Sequence, residues 1–255
     1  MNQADNPLIR IEDIAVSYGG SPVIDGLSTD IEEGTIVGLI GPNGAGKTTL
    51  LLSAAGQFKP VRGHVYFDGS DVYEHNRDCK GRFGYVHEDP FFYPYLSAED
   101  FMRFVADVKG VPEDDVEDQI HSLLKLVDLW EDREKVTSAL SMGMRKKLAI
   151  AAAMLGKPRV LFLDEALNGI DIESTYRIKR SLRDFAAAGG AVILSTHTLE
   201  VVEKLCDRYL LLKDGRVIAD LKADEVSGQP GVGEGRSLEQ YVIQMLSDSD
   251  DVDSQ

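Results

Sequence analysis

The stretch TIVGLIGPNGAGKTTLLLSAAG, Thr35 to Gly56, changes character twice. It begins as a continuous apolar run, the pattern of a strand buried on both faces. Gly41 ends that run, and Gly41, Pro42, Asn43, Gly44, Ala45 and Gly46 are loop residues. From Lys47 onward the residues suit a helix. Gly41 to Thr48 matches G-x-x-x-x-G-K-[ST], the P-loop pattern, with Thr49 next, and it lies between a strand and a helix as that motif requires. The glycines let backbone N–H groups wrap phosphate oxygens, Lys47 reaches the β and γ phosphates, and the helix N-terminus adds a favourable dipole. Thr48 is expected to set its hydroxyl on Mg2+. The chain is therefore expected to bind a nucleotide.

Composition bounds the rest. A chain of 255 residues with 43% hydrophobic content suits one large α/β domain, or a core with an insert. The formal net charge is -16, from 43 acidic and 27 basic residues. Such a surface argues against broad attachment to nucleic acid or anionic lipid, so no nucleic-acid partner is expected and any phosphate site must be local. Cys79 and Cys206 lie far apart without metal or disulfide spacing, which fits a reducing cytosol. The N-terminus lacks a signal pattern, and no apolar run approaches the roughly 18 residues of a membrane span.

Along the chain, LIRIEDIAVSY, PVIDGLSTDIE, GHVYFDG and RFGYV read as strands. From about Leu96 to Leu155 the pattern turns helical: SAEDFMRFVADVKG opens on an S-x-x-D cap, and PEDDVEDQIHSLLKLVDLW carries apolar residues at helical spacing. RVLFLDE and AVILSTH are buried strands flanking a helix, and DRYLLLKDGRVIADL is a hairpin turning at Asp214-Gly215. Four parts are expected: 1–86, the first part of the nucleotide-binding core with its β subdomain and P-loop; 87–155, a loop and helical subdomain; 156–222, the rest of the core; and 223–255, a flexible acidic tail with a short helix at LEQYVIQML and a disordered end.

VLFLDEALNGID supplies what a P-loop lacks. Asp164 ends an apolar strand and would hold Mg2+ through water, while Glu165 can polarise the attacking water. Asp-Glu after a strand is by itself weak evidence; a P-loop upstream makes it specific. In LSMGMRKKLAIAAAML, Ser141 and Gly143 stand where a helix begins, with N–H groups and a dipole that favour an anion, and an ordinary N-cap is the competing account.

This segment resembles the L-S-G-G-Q signature of ATP-binding cassette (ABC) ATPases. Met142 and Met144 depart from it, and L-S-x-G-M followed by basic residues resembles the variant of many bacterial ABC exporter subunits. The resemblance spans roughly Leu8 to Leu221 and implies an α/β P-loop NTPase (ABC ATPase) core with an antiparallel β subdomain and an inserted α-helical subdomain. It further implies that Tyr18 stacks on adenine, that Asn168–Asp171 crosses to a partner subunit, that His197 contacts the γ-phosphate, and that Ser141, Gly143, Met144 and Asp171 complete the ATP site. Ala166 stands where the family usually has proline. Glu88 stands where a glutamine usually contacts Mg2+ and the attacking water, adding a negative charge near the phosphates.

The function implied is a Mg2+- and ATP-dependent ATPase subunit of a transporter. It would pair with a second ATP-binding subunit and a separate transmembrane permease at the cytoplasmic membrane face, in the manner of exporters. Catalysis would use Glu165, His197 and Lys47, with Thr48, Glu88 and Asp164 on the metal. A soluble ABC ATPase serving a non-transport complex is the alternative. A serine hydrolase is excluded by the absence of a G-x-S-x-G elbow. A zinc site at His87, Glu88 and Asp89 is disfavoured because adjacent residues on an extended chain point to opposite sides. Phe91, Phe92, Tyr93 and Tyr95 are expected either to face a partner or to pack the insert.

Overall fold

Strands β3 (Ile36–Ile40), β7 (Val160–Asp164) and β8 (Ala191–Ser195) are buried along their whole length. All-apolar runs of this kind belong in a parallel sheet covered on both faces. With β6 (Phe83–Val86), β9 (Arg208–Lys213) and β10 (Arg216–Lys222) they form one sheet in the order β10-β9-β3-β8-β7-β6. Every neighbouring pair is parallel except the β9-β10 hairpin. A second, antiparallel sheet has the order β2-β1-β4-β5, from β1 (Ile9–Ser17), β2 (Pro22–Ile31), β4 (Arg62–Phe67) and β5 (Ser70–Asp71). The computed structural model describes residues 7–228 and 238–252.

The parallel sheet divides two hydrophobic cores because alternate residues of a strand face opposite sides. Val37, Leu39, Phe162 and Ile193 face the antiparallel sheet and helix α1 (Lys47–Ala54). Ile36, Leu161, Leu163 and Leu194 face the other side. There they join residues of α3 (Ala98–Lys109), α4 (Glu113–Leu126), α5 (Met142–Met154) and α6 (Ile172–Ala187).

Helix α2 (Asn76–Lys80) precedes β6, and α3, α4 and α5 all lie between β6 and β7 in the chain. The expected cap on α3 is present: Ser97 Oγ accepts from the Asp100 N–H at 3.0 Å and donates to the Asp100 carboxylate at 2.6 Å. Two 3-10 turns, Trp130–Asp132 and Thr137–Ala139, follow α4. The Trp130 ring meets His121 edge-on with centroids 4.3 Å apart, and the Arg133 guanidinium lies 4.4 Å from its centroid.

The α/β architecture implied by the resemblance is the one observed. The tail departs from expectation. After α7 (Leu199–Leu205) and α8 (Ala223–Gly228), helix α9 runs Leu238–Val252, past the short helix expected and into the supposed disordered end. Leu238 and Val242 are buried and Met245 packs beside them, a stripe at i, i+4 and i+7 that docks α9 near α7 and β10. That stripe lies within LEQYVIQML, the segment expected to be helical, and α9 continues beyond it to Val252. Residues 229–237, most of the expected Gly-rich link, lie outside the described residues, as do 1–6 and 253–255.

Candidate nucleotide-binding site

The carboxyl ends of β3, β6, β7 and β8 lie along one edge of the parallel sheet, where open α/β sheets bind ligands. Loops leave that edge at Gly41, His87, Glu165 and Thr196. They surround a cleft of about 600 Å³ lined by Gly41, Pro42, Asn43, Gly44, Gly46, Lys47, Thr48, Thr49, Glu88, Asp164, Glu165 and His197, with Val23 from β2. Residues scattered over most of the chain thus converge, as the sequence motifs required.

Helix α1 begins at Gly46, whose φ of 101° is left-handed, and a Cβ there would come within 2.6 Å of Ile24 Cδ1. No side chain caps α1, whereas Ser97, Ser141 and Asp171 cap α3, α5 and α6. Its first N–H groups and positive dipole end are therefore left to serve an anion in the cleft. Lys47 is buried and donates to the carbonyls of Gly41 at 2.8 Å and Pro42 at 3.0 Å. Burial holds its pKa below the usual lysine value, while the carboxylates of Glu165, Asp164 and Glu88 pull the other way.

Asp164 is buried, and its Oδ1 accepts from Ser195 Oγ at 2.5 Å. Glu165 has φ 47°, a left-handed conformation that is uncommon for a residue with a side chain. Its N–H donates to Ser195, at 3.1 Å from Oγ and 3.2 Å from the carbonyl oxygen. Its carboxylate oxygen Oε2 accepts from Asn168 Nδ2 at 2.6 Å and lies 3.1 Å from His197 Nδ1. Ala166 packs into the core beneath.

One ammonium, Lys47, thus faces three carboxylates, Glu88, Asp164 and Glu165. A bare polyphosphate would be repelled by that set, and a divalent cation would relieve the repulsion. Thr48, Glu88 and Asp164 are hard oxygen donors of the kind that would hold Mg2+. No group of three or more His, Cys, Asp or Glu that could hold a metal ion by itself exists among the described residues.

The other expected residues lie elsewhere. Ala45 is buried beneath the loop. Tyr18 is exposed beside the cleft, its ring 4.5 Å from that of Phe58 and its hydroxyl 3.5 Å from Thr49 Oγ1. Ser141, Gly143, Met144 and Asp171 do not line the cleft. Ser141 Oγ accepts from the Met144 N–H at 3.2 Å, so the N–H groups here are not all free; an ordinary cap is present as well. Met144 packs against the helical core. His87, Glu88 and Asp89 line three different cavities, and only Glu88 enters the cleft. Phe92 is buried against Phe101, while Phe91, Tyr93 and Tyr95 are exposed.

Ser195 and Asn168 are site residues that no motif supplied with these partners. Ser195 faces Asp164 because β7 and β8 are paired in parallel with those two residues in register. That adjacency follows from strand order, which the sequence does not state.

Comparison with known proteins agrees with the geometry. Residues 24–168 match the family model described as ABC transporter. The chain is 32% identical over 220 residues to the Nod factor export ATP-binding protein I of Ralstonia nicotianae, covering 86% of this chain and 68% of that one. It is 30% identical over 222 residues to the SkfA peptide export ATP-binding protein SkfE of Bacillus subtilis, covering 87% and 92%. A solved ATP-binding subunit of an ABC transporter superposes with a TM-score of 0.87 at 28% identity, covering 94% of this chain and 99% of that one. With its nucleotide-binding loop, acidic strand end and helical insert in the expected order, the chain belongs to the ABC transporter family, as one of its ATP-binding, ATP-hydrolysing subunits.

Proposed function

We propose that two ATP-binding subunits close around two ATP molecules and drive export through a separate transmembrane subunit at the cytoplasmic membrane face. Each ATP lies between the Gly41–Thr49 loop of one chain and the Ser141 loop of the other. The observation that carries this reading is the separation within one chain: Ser141, Gly143, Met144 and Asp171 lie outside the cleft that gathers Lys47, Thr48, Glu88, Asp164, Glu165 and His197. A second phosphate-binding element with no phosphate of its own suits a partner's nucleotide.

Within the cleft, Lys47 and the α1 N-terminus hold the phosphates, and Tyr18 stacks on the base. Glu165 takes the proton of the attacking water, and His197 contacts the γ-phosphate while holding the Glu165 carboxylate in line. Thr48, Glu88 and Asp164 would hold Mg2+. When bound, that cation neutralises charge developing on the phosphates.

Residues 87–155 form the helical part that meets the transmembrane subunit. Phe91, 79% exposed, meets Tyr93 edge-on, Tyr93 meets Phe104 of α3, and Tyr95 is 91% exposed. An exposed aromatic run of this kind marks an interface. Export is favoured by the Gly143-Met144 form of the signature and by the two relatives named for export.

Glu165→Gln is the test. It should bind ATP, hydrolyse almost none and accumulate as an ATP-dependent dimer by size-exclusion chromatography; unchanged hydrolysis would place the base elsewhere. Purification from detergent-solubilised membranes should recover a membrane protein with this chain, and recovery alone would favour a soluble ATPase.

A further inference from the structure

Lys146 and Lys147 are adjacent on α5, and both are buried, at 7% and 6% exposure. A buried ammonium is costly unless it is hydrogen-bonded or paired, so what each one touches has consequences. Lys146 Nζ donates to the Glu165 carbonyl at 3.0 Å. Lys147 Nζ lies 3.5 Å from the Asp171 carboxylate and 3.7 Å from that of Asp128. One turn earlier, Gly143 abuts the same segment: a Cβ there would lie 2.7 Å from the Gly169 carbonyl oxygen. Positions 143, 146 and 147 share one helical face. That face therefore grips the beginning, middle and end of the turn from Glu165 to Asp171.

Within the turn, Glu165 holds a left-handed backbone that is strained for a residue with a side chain and persists only where its surroundings over-determine it. Its N–H is fixed to Ser195 of β8, and its carbonyl is fixed from the opposite side by Lys146. Its carboxylate is then directed onto Asn168 and His197.

We propose that Lys146 is a positioning residue for the general base, and that α5 thereby links the two nucleotide sites of a closed pair. The inference rests on the proposed function, in which Glu165 serves the chain's own ATP and Ser141 faces the partner's. One rigid helix carries the Ser141 loop at its start and the anchor of Glu165 one turn later. Engagement of the partner's nucleotide at Ser141 shifts that anchor and sets Glu165 for its own ATP.

Lys146→Met keeps most of the apolar stem and removes the donor. The full chain with ATP and Mg2+ should lose kcat roughly 10- to 100-fold, the cost of a misplaced catalytic group. Its KM for ATP should stay within about threefold, and its cooperativity in ATP should fall. Lys146→Arg, which restores a donor, should recover most of the turnover.

A normal kcat in the methionine variant, a parallel loss of ATP binding, or an arginine variant no faster than methionine would overturn the link. Lys146→Leu, which also lacks a donor, carries the same expectation as methionine if the latter melts early. Glu165→Gln run alongside separates two failures. A normal rate there undoes the underlying assignment of the base, whereas an inactive Glu165→Gln beside a normal Lys146→Met undoes only the link.

Discussion

The Lys47 ammonium sits at the loop before α1, bonded to the Gly41 and Pro42 carbonyls and facing the acidic strand end. Lys47→Ala should weaken ATP binding by roughly 10- to 100-fold, as expected for loss of a charge-assisted contact; calorimetric titration reads it directly. Glu88→Gln returns the residue usual in this family and removes one of three carboxylates from the cleft. It should leave ATPase activity within a few-fold while changing the response to the transmembrane subunit, and complete loss of basal hydrolysis would contradict that. Asp171 caps α6 by accepting from the Ser174 N–H at 2.8 Å. That bond first, and then the Lys147 charge, holds its carboxyl below the ordinary 3.8. A lowered carboxylate pKa adds stability above the unfolded value, and that stability is lost as pH falls through the folded one. Asp171→Asn keeps a cap but loses the charge, so its melting temperature should fall less steeply than wild type below about pH 4.

Elements were legible in proportion to the pattern their burial leaves. The amphipathic α3 and α4 and the fully apolar β3, β7 and β8 could be read directly, because one-sided and two-sided burial leave different spacings. Helix α5 is buried on every side from Lys146 to Ala153, so its periodicity is erased, and its start was marked by the residues at Ser141 and Gly143 instead. Helix α7 is seven residues long, too short to show a period. The P-loop and the Asp164-Glu165 pair were legible because their chemistry is local. The Ser195, Asn168 and Lys146 contacts were not, since each depends on which strand or helix lies next to Glu165. Leu124 of α4 is fully buried. Leu124→Ala should cost about 2–5 kcal/mol, lowering the melting temperature by roughly 4–20 °C.

At the scale of the whole molecule, the exposed aromatics and the buried core should respond oppositely to substitution. Phe91→Ala and Tyr95→Ala should leave the melting temperature nearly unchanged, as surface changes of about 0.5 kcal/mol or less do. The same variants should weaken recovery with the membrane partner, each by more than about 1 kcal/mol if it is an anchor. The helix expected at LEQYVIQML is present and docked: Leu238, Val242 and Met245 bind α9 to the same core that supports α7, the helix just after His197. Trp130 offers a different use of the fold. It is the chain's single tryptophan, it is held between His121 and Arg133 in the helical part, and it does not line the nucleotide cleft. Intrinsic fluorescence excited at the indole band therefore reads one subdomain alone, and a change in its emission on adding ATP is an optical record of the insert moving, with no label attached.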